Sequence, residues 1–526
     1  MDDVPALPAR RRKPANRVAP TSLTTGPLTA PLVTVSSSET SEEIVGPDLV
    51  ASTPKLSWRA RAYRAVAAES APSWSLDLRA IADGVEIKRS RAVIDLAMRV
   101  AEALLSTGAS AADVTATVLR LTQAYGLRSV HVDVTFNSIA VSHHRGADDP
   151  VTIIRTVRVR AADYARLARL QELVGSLEAD PVDIGEARAR FDEIAARPHP
   201  YRRSVVTAAT AVLGLAVCVL LDGSYTEILI SLVNAIIVDR VQLLLARRRL
   251  PVFFSQMVGG AIPTIGAVLL IYARTNNVPG LANVSASAVV ATGIVVLLAG
   301  LSVVGAAQDA IDGYYVTAGA RSFEVFVLTF GIIVGVLTVL TISQAMGAPT
   351  YLAPYSRLTG DFGVQVLASA LIAGAFAISS YAELRTTIVC VVTGSLGWIV
   401  YAFVAIAGFA APAASGVAAL VVGIASQVLA RIWHVPALAL STAGIVPLLP
   451  GLAVYRGLYQ LATMSGTQGY GPGFSALGGA IGVGLALAAG VSLGSYFARA
   501  FRRDPKSSAA RAQARALRRA HEDPSE

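Results

Sequence analysis

"GIVPLLPGLAVYRG", Gly444 to Gly457, sets two prolines and a glycine inside a run otherwise apolar enough to cross a membrane. Pro447 and Pro450 carry no amide hydrogen, so the carbonyls of Ala443 and Val446 lose their helical donors, and Gly451 admits backbone conformations that other residues avoid. In hydrocarbon such carbonyls must face protein or a wet cavity, because lipid offers no donor. Two readings follow. The break either shapes packing, repaired by neighbours such as Ser441 and Thr442, or builds a site. In such a site freed carbonyls receive an ammonium or hydroxyl, and a half-helix N-terminus meets a carboxylate.

The motif has an echo 151 residues upstream. "GIVVLLAGLSVVGAAQDAI", starting at Gly293, aligns with "GIVPLLPGLAVYRGLYQLA", starting at Gly444, and eight of the first eleven positions are identical. Apolar matches between two membrane helices come cheaply, but Gly293/Gly444 and Gly300/Gly451 at fixed offsets do not. The rest of the chain suits this reading: 526 residues, 53% hydrophobic and 15% charged, with a mean hydropathy of +0.55 and no lysine between Lys88 and Lys506. That composition describes an integral membrane protein.

From Ser204 onward ten apolar segments recur, at 204–221, 226–245, 252–273, 284–305, 322–343, 362–380, 386–408, 412–430, 436–456 and 475–498. Each is near the roughly 20 residues that cross the bilayer core as a helix. The echo falls on the fourth and ninth, which predicts two units of five helices, 201–345 and 346–500. An odd number of crossings per unit makes such repeats inverted. Two similar packing helices without functional symmetry are the alternative. Arg247, Arg248, Arg249, Arg321, Arg385 and Arg431 fall in alternate loops, and more arginines crowd the basic tail, 501–526. The positive-inside rule then places both termini in the cytoplasm.

Residues 1–75, rich in Pro, Ser, Thr and Ala, read as a disordered tail without a signal peptide. Residues 76–200 read as a small α+β cytoplasmic domain. Helical spacing from Ser90 ends at Gly108, and a second helix runs from a Ser110 cap to Gly126. Period-two alternation then predicts three strands, "RSVHVDVT", "SIAVSHH" and "VTIIRTVRVR", followed by helices near 161–178 and 183–196. The fold class is thus an α-helical polytopic membrane protein behind a small α+β domain.

At "ALLSTGASAADVTATVLRLTQAYGLRSVHVDVTFNSIAVS", and at the paired glycine motifs with ten hydrophobic helices behind a soluble domain, the sequence resembles the threonine/serine exporter family over roughly 90–500. The resemblance implies an inner-membrane exporter of threonine and serine driven by the proton motive force, without a cofactor. The arginine and alanine bias fits an actinobacterial, high-GC member. One position departs from the family pattern: Ala299 stands where the first motif usually has proline, so the first half lacks the residue that would break its helix.

Candidate transport residues follow from the motifs. Pro447, Pro450, Gly451, Ala443, Val446 and Gly300 are candidates for the translocation site, with Arg456 a candidate carboxylate ligand. Asp309, with Gln308 and Asp312 beside it, and Asp239 within the second helix are candidates for proton coupling; a solvated loop acid or a cap is the other reading of Asp309. Asp239 and Arg240 are adjacent and do not face each other, so each needs another partner. Glu324, Asp361 and Glu383 sit at predicted helix ends as interfacial anchors. His131, Asp133, His143 and His144 read as sheet surface rather than a metal cluster, and Cys218 and Cys390 as neither ligands nor a disulfide. No nucleophile elbow, Walker loop or Rossmann turn is present. The expected partners are a small amino acid and the lipid bilayer, with a homo-oligomer allowed and no nucleic acid. A passive pore and a membrane-anchored hydrolase are the competing functions.

Overall fold

The computed structural model describes residues 87–127, 129–145, 148–157, 161–276, 286–297, 300–347, 360–463 and 471–500. The tails expected at 1–75 and 501–526 lie outside the described residues, as does the start of the cytoplasmic domain. All described residues fall in one unit.

The soluble part runs α1 (Ile87–Ser106), α2 (Ala111–Ala124), β1 (Val130–Thr135), β2 (Ser138–Arg145), β3 (Asp148–Thr156), α3 (Tyr164–Ala179) and α4 (Ile184–Ala196). Its punctuation follows the sequence. Ser110 caps α2 by accepting from the Asp113 amide at 3.1 Å, and Gly108 and Gly126 take positive φ after α1 and α2. The strands form an antiparallel meander, β1-β2-β3, with Val130 opposite His143 and Thr135 opposite Ser138. Asp163 and Asp183 cap α3 and α4.

The membrane part contains α5 (Arg203–Leu220), α6 (Tyr225–Arg247), α7 (Val252–Thr275), α8 (Ala286–Leu297), α9 (Gly300–Ile311) and α10 (Tyr315–Ala345). It continues with α11 (Phe362–Ser379), α12 (Leu384–Ile406), α13 (Ala411–Trp433), α14 (Ala437–Ile445), a 3-10 turn (Val446–Leu448), α15 (Gly451–Thr463) and α16 (Gly471–Ala500). Among the described residues eight helices are long and apolar enough to cross a membrane, or nine with the bent α14–α15 pair taken as one. Of the ten expected spans the fourth, 284–305, is described only in part, as α8 up to Leu297 and α9 from Gly300, so it is not among those counted.

The two halves keep register. Arg203, Tyr225 and Val252 begin helices, and so do Phe362, Leu384 and Ala411, each 159 residues later. Left-handed turn residues obey this offset too, Asp222 with Tyr381 and Arg249 with Gly408. Neighbours also correspond. α7 packs on α10 as α13 packs on α16, α6 on α8 as α12 on α14, and α5 meets its counterpart α11 at the centre.

Lipid provides no hydrophobic drive for helix association, so close approach must come from small residues. A Cβ on Gly335 of α10 would strike the Met257 carbonyl of α7, and one on Gly490 or Gly494 of α16 would strike the Gly416 or Leu420 carbonyl of α13. The soluble core does not end at the membrane part. Val93, Leu121, Tyr164 and Leu177 belong to one buried cluster with Ala377 of α11, Cys390 of α12 and Leu440 of α14.

Candidate translocation site

The opening motif breaks its helix as two prolines require. α14 stops at Ile445, the 3-10 turn follows, Leu449 is extended (φ −64°, ψ 136°), and α15 restarts at Gly451 with a bend of 46°. The turn repairs part of the break: the Val446 carbonyl, expected to be freed by Pro450, accepts from the Leu449 amide at 3.2 Å. Pro447 still offers no amide to Ala443, which is fully buried.

Glycines bring the two motifs together. A Cβ on Gly451 would collide with Val295 and lie 3.0 Å from the Ala291 carbonyl, both on α8. Gly293 packs on Pro263 of α7, and Gly444 on Val422 of α13 and Thr393 of α12. In the first motif α8 ends at Leu297 and α9 begins at Gly300, with residues 298 and 299 outside the described residues.

Asp309 sits elsewhere. It is fully buried near the end of α9, with Oδ2 3.0 Å from Nη1 of buried Arg321 on α10 and Oδ1 accepting from the Ala111 amide at 2.8 Å. Arg321 Nη2 donates to the Ala109 carbonyl at 2.9 Å, so the pair clasps the α1–α2 turn of the soluble domain. A Cβ on Gly305 would lie 2.6 Å from Arg321 Nη1, so glycine there leaves room for the guanidinium. One turn along, Thr317 Oγ1 donates to the Val134 carbonyl and accepts from the Phe136 amide, each at 3.0 Å.

A second seat lies on the other membrane unit. The first amides of α3, from Tyr164 and Ala165, donate to the carbonyls of Ser380 and Tyr381 between α11 and α12, and Arg169 pairs with Glu383 at 2.7 Å. Tyr164 is buried with its hydroxyl beside Thr442 of α14. Burial pushes its phenol well above the usual range, with Thr442 pulling the other way, so the ring stays neutral.

Asp239 has the partner that adjacency denied it, Arg203 of α5, and accepts from Thr207 at 2.7 Å; Arg240 is exposed. Arg456 is half-buried on α15, with an interaction of its own. Asp361 caps α11 through the Gly363 amide at 2.8 Å. His131 and His144 meet edge to face, and His143 lies 3.1 Å from the Ser129 carbonyl; among the described residues no three His, Cys, Asp or Glu side chains are grouped to hold a metal. An open groove on the soluble domain is lined by Arg99, Glu102, Arg155 and Phe191, but its charges are spent on one another, with Arg155 reaching both Asp95 and Glu102.

Sequence reading missed Arg321 as the partner of Asp309, and it missed Glu227, a carboxylate only 3% exposed at the start of α6. Glu227 has a readable signal. It begins a polar series, Glu227, Ser231 and Asn234, at helical spacing inside an apolar run.

Two family descriptions match the chain, "Putative threonine/serine exporter" over residues 95–343 and "Threonine/Serine exporter, ThrE" over 365–496. The chain belongs to the threonine/serine exporter family. It is 38% identical over 424 residues, 79% of this chain and 78% of the relative, to a "Probable threonine/serine exporter" of Mycobacterium tuberculosis. It is 34% identical over 426 residues, 79% of this chain and 84% of the relative, to the "Threonine/serine exporter" of Corynebacterium glutamicum. A "Probable succinate transporter subunit YjjP" of Escherichia coli matches at 26% over 259 residues, 49% of this chain but 97% of that one. No solved structure matches the chain. The two exporter descriptions meet between α10 and α11, and the apolar helices are those of a multi-span membrane protein.

Proposed function

We propose that this exporter is a secondary transporter that moves threonine, serine or a similar small polar amino acid out of the cell, driven by the proton motive force and using no cofactor. The observation that carries the reading is the contact of Gly451 with α8, which sets the bent α14–α15 pair of one unit against the matching motif of the other. A broken helix places backbone dipoles and carbonyls where a zwitterion can be desolvated and held. On this reading Pro447, Pro450, Gly451, Ala443, Val446 and Gly300 shape the site, and Arg456 meets the substrate carboxylate.

The units are read as an inverted repeat with both termini cytoplasmic. Two things support this besides the shared register. The soluble domain touches the α9–α10 corner of the first unit and the α11–α12 loop of the second. The counterpart of that loop, around Asp222, follows a single crossing, whereas the α9–α10 corner follows an even number when α8 and α9 together cross once. Opposed units bring both seats to one side of the bundle, the arginine-rich side.

The soluble domain is read as a gate and not as a hydrolase, since its contacts tie both units together. Asp309 is the proposed proton-responsive element of that gate, with Arg321 opposite and Asp312 and Glu324 nearby: protonation removes the charge that holds Arg321. Asp239, paired with Arg203, is the second candidate.

Counterflow of labelled threonine in proteoliposomes tests the function. Saturable uptake that responds to an imposed pH gradient is expected. Ohmic, unsaturable flux would replace the transporter by a pore, and competition by succinate but not threonine would replace the substrate.

A further inference from the structure

The face that α6 buries is polar. Its buried residues are Glu227, Ser231, Asn234, Ala235 and Val238, while Leu229, Val233 and Ile237 point outward. Polar groups turned inward on a membrane helix cost stability unless something uses them.

Three further helices close on this face. Cys218 of α5 lies within reach of the hydroxyls of Ser231 and of Thr292 on α8, with Glu227 close by. A Cβ on Gly214 of α5 would lie 2.8 Å from Ala235 Cβ and 3.2 Å from the Ser231 carbonyl, and one on Gly266 of α7 would lie 2.7 Å from Asn234 Nδ2. Glu227 is set in place by a capping box, its Oε2 accepting from the Ser224 amide at 2.9 Å.

The second unit provides an internal comparison. At the 159-residue offset, Ser231 and Asn234 correspond to Cys390 and Thr393 of α12. Those groups are satisfied: Cys390 Sγ approaches the Ala439 carbonyl and Thr393 Oγ1 donates to the Leu440 carbonyl at 3.1 Å, both on α14. Asn234 Nδ2 has no acceptor among the described residues, and Ser231 Oγ has only the weak Cys218 thiol beside it, although the two residues are 8% and 1% exposed. Two buried donors are therefore kept unsatisfied in one unit at the place where the other unit satisfies its own.

We propose that the Glu227–Ser231–Asn234 face of α6, with Thr292 opposite, is a recognition site for the exported amino acid. Asn234 Nδ2 and Ser231 Oγ donate to its oxygens, and Glu227 supplies the charge for its ammonium. The site rests on the exporter reading. Four residues of helix, about 6 Å of rise, separate Glu227 from Ser231, a span that an α-amino acid bridges with one hydrogen bond at each end. The glycine contacts mean that α5 to α8 must part for the substrate to reach it.

Thiol protection tests this in the full, unsubstituted chain. N-ethylmaleimide modification of Cys218, followed by peptide mass spectrometry, should slow several-fold when threonine is added during counterflow. Asn234→Ala should raise the half-saturating threonine concentration about tenfold or more, as loss of a hydrogen bond to a charged group requires. Gly478→Ala on α16, where nothing lies within 4 Å of the Cβ position, should leave it unchanged. Threonine without effect on Cys218, together with unchanged half-saturation in Asn234→Ala, overturns the site while transport by the unsubstituted chain stands. Absence of counterflow in the unsubstituted chain is the separate failure of the exporter reading. If Asn234→Ala does not reach the membrane, the protection experiment still decides.

Discussion

Asp309 Oδ2 lies 3.0 Å from Arg321 Nη1, with both side chains buried, and the pair grips the Ala109–Ala111 turn of the soluble domain from both sides. Breaking a buried pair by removing one partner costs about 3–5 kcal/mol, because the remaining charge has nowhere to go. Arg321→Met should therefore lower the unfolding temperature in detergent and expose the soluble domain to protease. Asp309→Asn keeps the shape and removes the charge, mimicking protonation. It should leave protein in the membrane and make threonine export insensitive to an imposed pH gradient. Proton dependence unchanged in Asp309→Asn would reject the proposed role, whatever the stability.

Gly451 is the point at which the bent α14–α15 pair touches α8. Gly451→Ala sets a methyl against Val295 and the Ala291 carbonyl, an overpacking worth about 1–3 kcal/mol. Reduced counterflow with a modest loss of thermal stability is expected, and Gly451→Leu should abolish transport. Gly478→Ala on α16 is the control, since nothing lies within 4 Å of its Cβ position. Equal effects at both positions would show that the α8–α15 contact has no special part in transport.

Much of this arrangement is legible in sequence, and the exceptions have physical reasons. α5, α6 and α7 and their counterparts α11, α12 and α13 follow from apolar length, because in lipid an apolar run of that length has a helix as its open choice. The bend of the ninth segment is legible too, since Pro447 and Pro450 withhold the amides a continuous helix needs. The Asp309–Arg321 clasp is out of reach of the sequence. Its third member, the Ala111 amide, is 198 residues away, and a backbone group leaves no trace in composition. Glu227 was missed through reading the run at 226–245 for apolar period alone. Its polar residues, read at the same period, mark the buried face.

Tyr164 seats the soluble domain on α14. Its side chain is fully buried, so Tyr164→Ala should cost about 3–5 kcal/mol, the range for large aromatic truncations, and loosen the domain. Tyr164→Phe keeps the packing and should cost far less. The sign of the pH effect follows from burial. The raised phenol means that the seated state keeps its full stability below the ordinary tyrosine range near 10 and loses it as pH climbs above that value. Proteolytic release of the domain, followed from pH 7 to 11, should rise at the alkaline end in the unsubstituted chain and stay flatter in Tyr164→Phe.

Pro447 and Pro450 differ in what they withhold, and that difference can be measured. The Val446 carbonyl already accepts from Leu449, so the amide restored by Pro450→Ala competes for an occupied acceptor. The amide restored by Pro447→Ala is aimed at the Ala443 carbonyl, in the buried stretch facing α12, and favours continuing α14 as a regular helix past Ile445. If the bend makes the site, Pro447→Ala should reduce the counterflow rate more than Pro450→Ala does. It should also stabilise the protein, or leave its thermal unfolding unchanged, because a helix interior without proline is favoured by about 3 kcal/mol. Stability gained as transport is lost would separate a helix bent for function from one bent only by packing. Full transport in Pro447→Ala would leave the kink a packing feature.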